Sequence, residues 1–281
     1  MKFIGCDCDY QAADIVVFGA PFDGTASNRP GSRYAPGAMR QESEAIETYS
    51  PYVDKDICDL RICDDGDLEL PFGNLANVVD IIEECAAKVL SGGKLPVMLG
   101  GEHLVTLGAA KAVFAKHPDL CMIHFDAHTD LRDDYLGEKL SHATVIRRCW
   151  DFLGNDKIYQ FGIRSGLREE FEWAKKHTTL QKFDFGGLDE VISKLGDKPV
   201  YLTIDLDVVD PSEFCGTGTP EAGGVSFTAL REAIEKMGKL NIVAADLVEL
   251  APQLDASGAS TALACKVLRE LLLSVGSESN A

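Results

Sequence analysis

The chain has 281 residues, 46% hydrophobic and 26% charged, with a formal net charge of -18; this is the composition of a folded protein large enough to bury a core without staples. Such acidity repels phosphate backbones and so excludes a nucleic-acid partner, while it suits solubility or the attraction of a cation. No apolar run approaches the roughly 20 residues of a bilayer span, and the opening MKFIGCDCDY lacks the basic-then-apolar order of a secretion signal, so neither a membrane partner nor export is expected.

In chain order, Cys6 and Cys8 come first; two soft ligands do not complete a metal site. The nine cysteines are odd in number and form no CxxC, which fits free thiols in a reducing cytoplasm. DIVVFG (14–19) reads as a strand. Residues 74–90 place apolar side chains at helical spacing and stop at Ser91-Gly92-Gly93. A strand at 95–101, a helix at 104–116, and strands at 120–128, 157–165, 198–208 and 241–250 follow, with further helices over 168–177, 187–195, 227–238 and 258–274. Strands that are apolar throughout and alternate with helices indicate an α/β fold whose parallel sheet is covered on both faces. No linker, repeat or low-complexity tract interrupts the pattern, so one domain over 1–281 is expected. Ligands of such sheets gather beyond the C-terminal strand ends.

The reactive side chains cluster at those ends. The strand at 120–125 runs into Asp126-Ala127-His128-Thr129-Asp130, the strand from 198 into Asp205-Leu206-Asp207, and the strand from 95 into Gly100-Gly101-Glu102-His103. Strand alternation would turn Asp126, His128 and Asp130 to one face, and Asp205 with Asp207 likewise. Four carboxylates in one place raise each other's pKa or push apart unless cations intervene; two divalent ions carry the balancing charge. Oxygen ligands with two imidazoles suit manganese better than zinc. Six ligands serve two ions only if carboxylates bridge, which sets the ions roughly 3.5–4 Å apart, as in two-metal hydrolases.

Other residues read as structural. Asp210 before Pro211 is a turn residue. His124, inside an apolar strand, is a core histidine facing away from the metals. His117 and His177 sit in polar helical settings at the surface. The glycine-rich GTGTPEAGG (216–224) does not join a first strand to a helix as a dinucleotide loop does, and reads as a loop lining the site, with Thr219 near the substrate.

GGEH (100–103), DAHTD (126–130), SHATVIRR (141–148), DLDVVDP (205–211) and GTGTPEAGG, with PFDGTASNRPGSRYAPGAMR (21–40) and DLVELAP (246–252), together resemble the ureohydrolases, the family of arginases, agmatinases and their relatives. The resemblance runs in order over nearly the whole chain. It implies a three-layer α/β/α fold with a mainly parallel central sheet, two Mn²⁺ ions, a homotrimer or homohexamer and a cytoplasmic enzyme. It assigns one ion to His103, Asp126, Asp130 and Asp205 and the other to Asp126, His128, Asp205 and Asp207, with Asp126 and Asp205 bridging. A hydroxide held between the ions would attack the guanidinium carbon. Glu249 would pair with the guanidinium, His142 would shuttle protons, and Asp130 would take the hydroxide proton. Many members carry Asp where Glu102 stands; Glu102 is expected to orient His103 as an acceptor. His142-Ala143 replaces the usual His-Gly. Cys215 stands near the expected mouth where relatives carry Pro or Ala, and reads as inert packing.

On the same resemblance, the short charged loop 131–141 and Leu167, where arginases carry an acid, speak against arginine. The forms DLRDDYLGEKLSHATVIRR and FGIRS look like agmatinases, so the expected reaction is agmatine to putrescine and urea, with Asp133, Asp134 or Glu138 as candidate contacts for the substrate's amine. The alternatives are arginase, guanidinobutyrase and formiminoglutamase activities. A polyamine deacetylase of this fold typically holds one zinc and lacks the two full aspartate motifs, and a catalytically dead binding subunit would not keep every ligand together with His142 and Glu249.

Overall fold

Ile15–Ala20, Cys121–Phe125 and Ile158–Ile163 are buried from end to end, and strands with no solvent face require cover on both sides. The computed structural model describes residues 1–276; residues 277–281 of the expected domain lie outside them. The elements are β1 (Ile15–Ala20), α1 (Ala35–Ser43), the short β2 (Tyr49–Ser50) and β3 (Lys55–Asp56), β4 (Ile62–Asp67), α2 (Leu75–Ser91), β5 (Leu95–Gly100), α3 (Thr106–Lys116), β6 (Cys121–Phe125), α4 (Val145–Leu153), β7 (Ile158–Ile163), α5 (Arg168–His177), β8 (Thr179–Lys182), α6 (Leu188–Leu195), β9 (Pro199–Asp205), α7 (Phe227–Met237), β10 (Asn241–Val248) and α8 (Ala259–Val275). No described helix is long and apolar enough to cross a membrane.

Apart from the small β2–β3 pair, the strands form one eight-stranded sheet in the order β4-β1-β5-β10-β9-β6-β7-β8, with every pairing parallel. Its two faces carry separate cores. One contains side chains of α1, α6, α7 and α8, the other side chains of α2, α3, α4 and α5. This is the expected three-layer α/β/α arrangement. Helix ends follow local chemistry: Asn74 accepts from the Asn77 N–H to open α2, which stops at Gly92, and Ser226 caps α7 through the Ala229 N–H.

Six elements escape the sequence reading: α1, β2, β3, β4, α4 and β8. α1 opens with Ala35-Pro36-Gly37, and proline is compatible with a first helical turn. β4 is ICDDGD, buried only over its first half, and it forms a sheet edge beside β1. Buried Arg40 of α1 clasps Asp64 of β4 through Nε (2.8 Å) and Nη2 (3.0 Å), a forked charge-assisted contact that substitutes for apolar packing.

One glycine governs how the chain crosses the sheet edge. At Gly101, directly after β5, a Cβ would lie 1.8 Å from the Phe22 carbonyl oxygen. The loop after β1 therefore passes against bare backbone beside Glu102 and His103. Gly101→Ala is expected to destabilise the protein by about 1–3 kcal/mol through overpacking, read as a lower urea midpoint; an unchanged midpoint would show that the loop shifts freely.

Candidate active site

The four central strands, β5, β10, β9 and β6, end side by side at one edge. His103 opens a 3-10 turn after β5, Glu249 follows β10, and Asp205 closes β9 with Asp207 in the next turn, Leu206–Val208. Asp126, His128 and Asp130 follow β6, and His142 begins the turn that leads into α4. The sheet thus brings the eight metal-ligand and catalytic candidates to one place. Strand alternation is not how they converge. β6 ends at Phe125, and Asp130 has φ 51. Asp207 lies outside its strand, its N–H donating to Asp205 Oδ1 at 2.9 Å. Turn geometry after the strands aims the ligands.

The cluster is tight and dry. His103 Nδ1 lies 3.1 Å from Asp126 Oδ2, 3.1 Å from Asp130 Oδ2 and 3.3 Å from Asp205 Oδ2. His128 Nδ1 lies 3.0 Å from Asp207 Oδ2 and 3.5 Å from Asp126 Oδ1. Burial raises Asp205 well above the usual carboxylate range, with Asp207 and Asp126 adding to it. Burial and the Asp126 charge push Asp130 up to about 7. Burial works against charge on His103, yet its contacts with Asp126, Asp130 and Asp205 hold the imidazole well above its ordinary value. Protons are being recruited to offset crowded carboxylates, which is work a metal cation would do.

The donor set fits two cations. Asp126 belongs to both groups of closely spaced metal-capable atoms, one with His103 and His124, the other with His128 and Asp207, each within 4.8 Å. His103 Nδ1 and Asp207 Oδ2, one from each group, are buried atoms without a hydrogen-bond partner. Orphaned buried polar atoms are rare and call for a ligand. Asp130 and Asp205 complete the oxygen-rich set around His103.

A cavity of about 340 Å³ opens onto this cluster and is lined by Asp130, Asp205, His142 and Glu249 as well as Ser27, Arg132, Tyr135, Leu167, Glu170 and Thr219. Glu249 has φ 67, a left-handed backbone at a reactive position, and its Oε1 accepts the His103 N–H at 2.7 Å. Burial, then the charge of Glu102, raises its carboxyl well above the usual range. Burial lowers the His142 imidazole to about 4, and the charges of His128 and His103 act in the same direction. Its ring nitrogens meet two hydroxyls that the sequence reading did not single out, Thr25 Oγ1 at 3.3 Å from Nδ1 and Ser27 Oγ at 3.2 Å from Nε2. Both lie in the 21–40 stretch, where only the resemblance pointed to the site.

Three expectations need correction. His124 does not face away: its Nε2 stands 2.7 Å from Asp126 Oδ2, as residues two apart on an extended chain share a face. Glu102 does not orient His103; it accepts from the Thr25 N–H (2.8 Å) and hydroxyl (2.6 Å), and His103 Nε2 meets Thr203 Oγ1 at 3.0 Å instead. The acids offered for the substrate's amine are placed elsewhere. Asp133 contacts Arg148 at 2.9 Å, Asp134 accepts the Gly137 N–H, and Glu138 lines a different cavity. Asp210 is the turn residue expected, accepting from Ser212, Gly223 and Gly224.

The sequence matches the arginase family over residues 13–274. The chain belongs to the arginase family. Within that family, the agmatinase of Bacillus subtilis is 47% identical over 275 residues, covering 96% of this chain and 95% of the relative. The guanidinobutyrase of Pseudomonas aeruginosa is 35% identical over 281 residues, covering 94% and 87%. The solved agmatine ureohydrolase of Thermoplasma volcanium superposes with a TM-score of 0.89 at 37% identity, covering 98% of this chain and 94% of that one. This arginase-family member is an agmatinase-like ureohydrolase acting on guanidino C–N bonds.

If Asp130 must release its proton before a cation can bind, affinity for a divalent ion rises with pH through about 7 and binding expels protons. Titration calorimetry with Mn²⁺ in buffers of different ionisation heats reads this directly; binding that is indifferent to pH and releases no proton would contradict the site as described.

Proposed function

We propose that the chain hydrolyses agmatine to putrescine and urea at a pair of Mn²⁺ ions. The observation that carries this reading is the shared Asp126 with an orphaned donor in each of its two groups, supported by relatives named as agmatinases. His103, Asp126, Asp130 and Asp205 would hold one ion, and Asp126, His128, Asp205 and Asp207 the other. When bound, the ions would render a water acidic enough to attack at neutral pH and offset the negative charge that develops.

The side chains do the rest. Glu249, fixed by the His103 N–H, pairs with the guanidinium and presents its carbon to the incoming water. Asp130, with its raised affinity for a proton, takes the proton that water releases. As the bond from the guanidinium carbon to the chain nitrogen breaks, the departing amine takes up a proton that His142, uncharged at neutral pH, relays from solvent. The same reading carries the homotrimer or homohexamer and the cytoplasmic setting.

A second reading rests on Arg132. Its guanidinium lies over the Tyr135 ring at 4.6 Å, 3.7 Å from Glu170 Oε2, and it lines the cavity. A guanidinium there suits a carboxylate tail, as in 4-guanidinobutyrate. Urea release from agmatine, arginine and 4-guanidinobutyrate side by side, with Mn²⁺, separates the readings; agmatine is expected to lead, and a preference for the acid would replace it. Asp126→Ala is expected to lose metal and activity together. Glu249→Ala is expected to keep its metal while kcat/KM falls roughly 100-fold or more. Urea release by Asp126→Ala at the unaltered rate would defeat the mechanism.

A further inference from the structure

His124 and Gln160 have no part in the reaction above, yet both are fully buried polar side chains, facing each other in register across β6 and β7. The Gln160 side-chain nitrogen donates to the Thr129 carbonyl at 2.8 Å. A carbonyl only accepts, so this contact decides which end of the amide is the NH₂. The Thr178 hydroxyl, 3.2 Å from the amide oxygen, agrees with that orientation. The same nitrogen stands 3.1 Å from His124 Nδ1 and directs its second hydrogen there. Nδ1 is therefore bare, and the proton of the neutral ring is on Nε2, 2.7 Å from Asp126 Oδ2. A nitrogen that carries a proton cannot ligate a cation. His124, although close enough to Asp126 and His103 to resemble a ligand, is a donor.

We propose that Gln160 is the positioning residue of the segment Asp126–Asp130: through His124 it fixes Asp126 Oδ2, and through the Thr129 carbonyl it holds the turn between His128 and Asp130. The turn needs holding because Asp130 has φ 51, a strained conformation that persists only when its surroundings enforce it. The proposal rests on the metal reading above for its consequence, since the segment it positions carries three of the metal ligands.

The test uses length-matched variants. In the metal-free wild-type protein, nitrogen-15 shifts of His124 should show a protonated Nε2 and a bare Nδ1, and Gln160→Met should give a mixture of tautomers. Mn²⁺ affinity, measured by competition with a chelator, should fall roughly 10–100-fold in Gln160→Met and in His124→Met. His124→Gln, which returns an N–H near the Nε2 position, should recover most of that loss; Met and Gln fill similar space, so recovery reports the donor and not the packing. A protonated Nδ1 in the wild type, full Mn²⁺ affinity in Gln160→Met, or His124→Gln no better than His124→Met would each overturn the proposal. Should a variant fail to fold, the wild-type shifts still decide it. A wild-type chain that binds no Mn²⁺ would sink the metal reading instead, with the tautomer of His124 still deciding the arrangement proposed here.

Discussion

Four aspartates at the edge of one sheet repel each other, and the structure around them is organised by that repulsion. Their surroundings do not treat them alike. Asp205 and Asp130 are driven toward holding protons by burial, whereas Asp126, buried as deeply, is held well below the usual range by its contacts with His103, His124 and His128. Without cations, such a cluster is accommodated only by protons on some of its carboxylates. Cations in its midst would let each carboxylate meet positive charge without taking a proton.

Holding such a cluster together has a conformational cost, which falls on the backbone. Asp130 and Glu249, assigned to proton transfer and to gripping the guanidinium, both occupy left-handed conformations that residues with a Cβ avoid. Each is pinned by backbone contacts. The Asp130 carbonyl accepts the Arg147 N–H of α4 at 3.1 Å, and the Glu249 N–H donates to the Gly101 carbonyl at 2.9 Å. The second contact connects two strand ends: Gly101 supplies the acceptor for Glu249 while its missing side chain lets the Phe22 loop pass. That loop then carries Thr25 and Ser27 to His142. His142, Glu249 and His103, proposed as proton carrier, guanidinium anchor and metal ligand, are thereby tied to the same few residues after β5.

The central strands were legible because burial on both faces makes them apolar throughout, and the ligands were legible because aspartates and histidines stand at the ends of such runs. What the sequence concealed was whatever depends on turns or on polar pairing. β4 is held partly by Arg40 and Asp64, a contact between residues 24 positions apart, so no local apolar pattern announces it. β8 is a four-residue edge strand, too short for a period. His124 was misread because its apolar strand suggested a core position, although alternation places residues 124 and 126 on one face. Glu102 was assigned to His103 on the family resemblance, but its partner is Thr25, from the loop after β1.

Selectivity for a cationic tail has to be understood in the same way. None of the three acids in the loop after Asp130 lines the cavity. Beyond Asp130, Asp205 and Glu249, the remaining acid on its described wall is Glu170, already accepting from the Thr129 hydroxyl, the Leu131 N–H and the Leu167 N–H. A carboxylate so fully engaged holds α5 against the ligand segment, and its charge is shared with Arg132. Arg132 in turn is held over Tyr135, so the positive charge at the wall has fixed partners. Recognition of the substrate's charge therefore falls mainly on the inner acids and on the field of a chain with eighteen surplus negative charges, which draws cations in without marking where the tail must rest. On the proposed reading, such a site would grip the guanidinium by geometry and the far end by potential, so its discrimination between guanidino compounds would depend on how each tail meets Arg132 at the wall.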